Sequence, residues 1–176
     1  MAAWQVLVEQ LILERGSRLT AYAAMLVARD GDAEDLVHDA IVKTFSRGRN
    51  IRDVNHAEAY VRRVMPTIVI DRARSRASGR RAVDRGFERE DHGADIDSSL
   101  DVRFALQELS PRERACIVLR YFDDLTVPQI AAQLGLADGT VKRYLADASG
   151  KLATQLEVTV DGVETVRVLA PGKDRP

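Results

Sequence analysis

A chain of 176 residues, 45% hydrophobic and 30% charged with few aromatics, has the composition of a soluble helical protein of one ordinary domain or two small ones. One cysteine, Cys116, excludes an internal disulfide or a multi-cysteine metal site, and His38, His56 and His92 lack ligand spacing, so neither a metal nor another cofactor is expected. The net charge of −1 hides a strong pattern: seven arginines against two acids from His56 to Arg81, then seven acids against two arginines from Asp84 to Asp101. A polyanion would be drawn to the first block and repelled by the second. No apolar run approaches the ~20 residues that span a bilayer. The N-terminus has no basic-then-apolar leader pattern, so a cytoplasmic protein without membrane contact is expected.

The first half carries four helical patterns. Trp4, Leu7, Val8, Leu11 and Ile12 recur at steps of three and four until Gly16, which should end or bend the run. Leu19, Tyr22, Ala23, Leu26 and Val27 form the second. The third, AEDLVHDAIVKTFSR, buries Leu36, Val37, Ala40, Ile41, Thr44 and Phe45, with Asp32 as its N-cap. The fourth starts near Ala57 and continues in spacing through Pro66, which predicts a kink rather than a break. Residues 79–99 are polar, Gly- and Ser-rich and charged, and read as a flexible acidic linker, with the fourth helix running to about Ser78.

The second half restarts at Leu100 with a short helix closed by Ser110-Pro111. Ser110 then caps PRERACIVLRYF, with Pro111 at the tolerated first position and Glu113 placed for a capping box. Thr126 caps the next helix, which buries Ile130, Ala131 and Leu134 and ends at a left-handed Gly135. The following helix starts near Asp138 and buries Val141 and Leu145. The tail alternates Val158, Val160, Val163 and Val166 around Asp161-Gly162, a hairpin signal.

Two short helices joined by a Gly-containing turn form a helix-turn-helix, whose second helix fits a DNA major groove. Here it turns Gly139, Thr140, Lys142, Arg143 and Ala146 outward, and the two cations can donate to guanine edges. Arg112 and Arg114, at a helix start, are placed for phosphates. The bland alternative is a helical hairpin in an all-α core with solvated cations. Leu100 to Gln155 carries seven cations and seven acids, so such a reader would hold DNA weakly alone and needs help.

Three blocks together resemble an extracytoplasmic-function (group IV) RNA polymerase sigma factor of the sigma-70 family, of the small actinobacterial type. DAEDLVHDAIVKTF resembles the polymerase-clamp helix of region 2, and AYVRRVMPTIVIDRARSR the helix that reads and opens the −10 element. LSPRERACIVLRYFDDLTVPQIAAQLGLADGTVKRYLADA resembles region 4, reader of the −35 element. The resemblance implies an all-α fold with a region 2-like domain over 1–78, a linker over 79–99, a region 4-like domain over 100–155 and a C-terminal extension over 156–176. It implies that Asp35, Leu36, His38, Asp39 and Lys43 face core RNA polymerase. Arg49, Asn50 and Asn55 would lie where an unstacked −10 base is captured, with Arg62, Arg63, Arg72 and Arg74 on phosphates or base edges. Arg112, Arg114, Thr140, Lys142, Arg143 and Ala146 would serve the −35 element. Promoter DNA, core polymerase and an anti-sigma factor are the implied partners.

This chain departs from the family pattern in places. Pro66 stands in a helix usually unbroken. Tyr144 and Asp147 replace common basic residues, and Ala137 stands where a small polar cap is usual, which makes Asp138 the expected cap. The competing reading is a stand-alone helix-turn-helix regulator that dimerises on palindromic DNA. An enzyme is disfavoured: no phosphate-cradling loop, metal cluster or nucleophile–histidine arrangement is present in the sequence.

Overall fold

A computed structural model describes residues 3–28, 31–46, 50–79 and 98–160, which fold as seven helices with no strand among the described residues. They are α1 (Ala3–Leu26), α2 (Gly31–Phe45), α3 (Val54–Gly79), α4 (Ser98–Gln107), α5 (Pro111–Tyr121), α6 (Val127–Leu134) and α7 (Asp138–Val160).

The first two patterns join in one helix, α1. Gly16 does not end it, because Leu11 and Leu19 on either side are both fully buried on one continuous apolar face. That burial outweighs the cost of about 1 kcal/mol for a glycine inside a helix. Helix α2 begins at Gly31, so Asp32 lies in the first turn with Glu34 instead of capping it, where both carboxylates still favour the positive helix end. Helix α3 begins three residues earlier than expected, capped by Asp53, whose Oδ1 accepts from the His56 N–H at 2.8 Å. It stays one helix through Pro66, which is fully buried. These three helices enclose one core that includes Leu11, Leu19, Leu26, Leu36, Val61 and Met65.

In the second half, Ser110 and Glu113 form the expected capping box on α5. Cys116, Leu119, Ile130, Ala131 and Val141 tie α5, α6 and α7 together. Leu106, Leu109, Ile117 and Ala148 make a smaller cluster under α4. Helix α7 runs much further than expected: Val158 and Val160, the first strand of the anticipated hairpin, are helical, and residues 161–176 lie outside the described residues. Most of the anticipated linker, residues 80–97, also lies outside them.

The two halves pack on one another. Helix α5 lies against α1 and α3, and α6 lies against α3. Val118 of α5 is fully buried in the core of the first half, and Met25 of α1 packs on the cluster under α4.

Candidate nucleic-acid interface

The helix-turn-helix is built by local rules. Thr126 accepts from the Gln129 N–H while Gln129 Oε1 accepts from the Thr126 N–H at 2.8 Å, which closes a capping box at the start of α6. Gly135 ends α6 at φ 65°, in the left-handed region where a side chain is strained. The Ala137 carbonyl accepts from the N–H groups of Thr140 and Val141. Ala137 is therefore the capping position of α7, and Asp138 is its first helical residue rather than the expected cap. Val141 is fully buried and fixes the roll of α7. Lys142, Arg143 and Ala146 are exposed and Thr140 is half-exposed on the outer side. The Arg143 guanidinium lies 5.5 Å from the Tyr144 ring centroid, and exposed Asp147 stands on the same helix.

Arg112 is half-buried at the start of α5. Arg114 is not a surface cation. It is 4% exposed and donates to the carbonyls of Leu106 (2.8 Å), Gln107 (3.0 Å), Leu109 (2.9 Å) and Leu26 (3.1 Å). In this arrangement it cannot reach a phosphate. Instead it satisfies carbonyls at the ends of both α4 and α1, which have no partner within their own helices. Burial lowers its pKa to about 10, so it stays charged at neutral pH.

On α3 the expected −10 cations have separate fates. The Arg62 guanidinium donates to Asp123 Oδ1 at 2.6 Å and lies over the Tyr22 ring, 4.4 Å from its centroid. Tyr22 Oη donates to the other oxygen of Asp123 at 2.6 Å. Burial and then the Asp123 charge push the Tyr22 hydroxyl well above its usual range, so it stays protonated and donates. Arg63 is exposed, and its carbonyl accepts from Gln133 Nε2 of α6 at 3.1 Å. Pro66 lacks an N–H, which strips the Arg62 carbonyl, one turn back, of its helical partner. Arg72 pairs with Asp39 of α2 at 2.6 Å, and Arg74 is exposed. Ala59, Arg62, Arg63, Asp123, Leu125 and Gln129 line a cleft of about 450 Å³ between the halves.

Arg49 lies outside the described residues, and Asn50 is exposed. Asn55 sits in the first turn of α3 rather than on the preceding loop, and its Oδ1 accepts from Arg15 at 3.1 Å. Arg15 also meets the buried Glu58 at 3.3 Å, with Arg18 on the other oxygen at 3.6 Å. On α2, Asp35, His38 and Asp39 are exposed and Lys43 is half-exposed. Leu36 is fully buried in the core, so its side chain has no surface to offer the polymerase clamp. Tyr22, Asp123, Gln133 and Arg15 are the contributors to this region that sequence reasoning missed.

A helix that presents Lys142 and Arg143 to solvent, held by a helix-turn-helix and set beside a three-helix module carrying a second set of arginines, defines a DNA-reading transcription protein. Residues 99–152 match the family model described as Sigma-70, region 4. The chain is 33% identical over 157 residues to the RNA polymerase sigma-E factor of Streptomyces avermitilis, covering 85% of this chain and 84% of that one. It is 30% identical over 164 residues to the ECF RNA polymerase sigma factor SigL of Mycobacterium tuberculosis, covering 89% and 92%. The fold matches the sigma factor RpoE of Bartonella quintana, solved in complex with the anti-sigma factor NepR, with a TM-score of 0.58, 23% identity and coverage of 86% and 97%. The chain belongs to the extracytoplasmic-function RNA polymerase sigma factors. As a member it directs core RNA polymerase to promoters and initiates transcription there. No described helix is long and apolar enough to cross a membrane.

Proposed function

We propose that this sigma factor reads the −35 element with Thr140, Lys142, Arg143 and Ala146, and the −10 element with Asn50, Asn55, Arg62, Arg63 and Arg74. Arg49 joins the second set and Arg112 flanks the first. Asp35, His38, Asp39 and Lys43 meet the polymerase clamp. Arg72 serves DNA after exchanging its Asp39 partner. The observation that carries this reading is the α7 face, where Val141 is fully buried and Lys142, Arg143 and Ala146 all stand exposed. The protein acts without catalysis of its own, in the cytoplasm, and an anti-sigma factor restrains it; the structural relative was solved in complex with an anti-sigma factor. The working units are residues 1–78, a connector over 79–99, 100–155 and an extension over 156–176.

Size requires the two reading units to part. Elements about 25 base pairs apart are separated by ~85 Å of duplex at about 3.4 Å per base pair. A compact chain of this length is only ~40 Å across. The segment between Gly79 and Ser98 reaches up to ~60 Å when extended, enough with the modules themselves to bridge the distance. Core polymerase supplies the energy of parting through its contacts with both halves.

Run-off transcription tests this function. Purified chain plus core polymerase on genomic fragments should give discrete transcripts that core alone does not, and Asp35→Arg and Lys142→Glu should each abolish them. A chain that adds no initiation to core polymerase, or that binds a palindromic duplex tightly as a homodimer without it, refutes the assignment.

A further inference from the structure

Asp123 follows α5 in the second half and is held by two donors of the first. Tyr22 Oη on α1 and Arg62 Nη2 on α3 each give one short bond, 2.6 Å, to a different carboxylate oxygen. The bond from Arg62 is charge-assisted, and the one from Tyr22 reaches a charged acceptor, so both are of the strong kind. The two donors are also ordered against each other. The Arg62 guanidinium rests on the Tyr22 ring, so the stacking that aligns them does not depend on Asp123. Both sides of this cradle belong to the first half, and the carboxylate is a visitor from the second.

An oxyanion gripped by a guanidinium and a hydroxyl has the chemistry of a nucleic-acid backbone contact. Parting of the halves empties the cradle on the −10-reading helix when promoter strands arrive. The geometry points to a two-donor oxyanion site, Tyr22 with Arg62, that Asp123 fills in the closed chain and a promoter backbone phosphate fills in the open one. This rests on the proposed function above. It adds Tyr22 as a DNA ligand and makes Asp123 the group that holds the free chain shut. Because only the open chain can span two promoter elements, the closed population lowers the apparent affinity for polymerase by its share of the equilibrium. The Gln133 bond to the Arg63 carbonyl and the burial of Val118 hold the same closed state, so Asp123 sets its depth rather than its existence.

The test uses the full chain with dyes at Ser46→Cys and Ser149→Cys, both exposed positions, while Cys116 is fully buried and escapes labelling. Free wild-type chain should show a short interdye distance that lengthens when core polymerase is added. Asp123→Asn and Asp123→Ala should shift the free chain toward the long distance. On a fragment that wild type transcribes, at limiting polymerase, Asp123→Asn should raise run-off product about fivefold, equivalent to about 1 kcal/mol at 1.4 kcal/mol per tenfold. Tyr22→Phe should open the free chain as well but remove one phosphate donor. At saturating polymerase it should need about fivefold more promoter DNA than Asp123→Asn for half-maximal product.

If both Asp123 variants keep the wild-type distance, the closing role of Asp123 is wrong. If Tyr22→Phe matches Asp123→Asn in promoter requirement, Tyr22 serves only closure and the DNA site is wrong. Millimolar inorganic phosphate should leave the free wild-type chain closed; opening by phosphate alone assigns the site to a free anion and overturns the DNA assignment. A wild-type chain that yields no run-off product defeats the proposed function and the DNA site with it, while the dye distance still decides the role of Asp123.

Discussion

The guanidinium of Arg114, on α5, donates across 3.1 Å to the carbonyl of Leu26, the last residue of α1. The same group serves three carbonyls at the end of α4, so one buried cation closes two helix ends that belong to different halves. Arg114→Met takes this donor from the Leu26, Gln107 and Leu109 carbonyls, while the Leu106 carbonyl keeps the Leu109 N–H. The expected loss is about 3 kcal/mol of folding stability, read as a lower urea midpoint. Arg114→Lys should recover little of it, because an ammonium cannot reproduce the planar fork.

Acid should act on this protein through Glu113. Burial pushes its carboxyl up, but the bonds from Lys151 Nζ (2.8 Å) and from Ser110 outweigh burial and hold it below its usual range. A carboxyl lowered by folding stabilises the fold above its unfolded pKa of about 4.3 and loses that contribution as pH falls through the folded value. Lys151→Met should move the acid-side loss to higher pH. Because Lys151 is half-exposed, the cost at neutral pH should stay below about 1 kcal/mol. Thermal melts of both proteins between pH 3 and 7 would show whether the curves converge in acid.

Lys142 is exposed on α7 and makes no ion pair among the described residues, so its substitution probes DNA contact. With polymerase present, Lys142→Ala should weaken promoter binding. If the contact is to a phosphate, the logarithmic salt slope should fall by about 1 on every promoter. If it is to a base edge, the loss should concentrate on one position of the −35 element.

Gly135→Ala tests the turn. A Cβ there meets nothing within 4 Å, so only the backbone at φ 65° resists it. The expected cost is about 1 kcal/mol, with Gly135→Asn costing less because asparagine tolerates the left-handed region. Thermal denaturation of the two variants should rank them in that order.

The second half was largely legible because its elements announce themselves locally. Ser110, Pro111 and Glu113, then Thr126, Pro128 and Gly135, mark starts and stops within a few residues of the helices they bound. Local signals misled where tertiary burial overruled them. Gly16 reads as a stop, yet the Leu11–Leu19 face carries α1 across it. Arg114 reads as a phosphate ligand from its place at a helix start, although it shares a face with Ile117 and Val118, both buried, and that spacing already placed it inside. Val158 and Val160 alternate like a strand but continue α7. The Tyr22–Asp123 bond joins residues 101 positions apart, and no local pattern encodes such a meeting.

Val118 is a side chain of one half that completes the interior of the other, and it is fully buried there. In the proposed parting of the halves by polymerase, this isopropyl group meets water, at a cost of about 1.5 kcal/mol at room temperature. That cost is hydration, and hydration of apolar groups grows cheaper as the temperature drops. Cold should therefore loosen the clasp and heat should tighten it, so that the same amount of polymerase recruits more of this factor from a chilled cell than from a warm one.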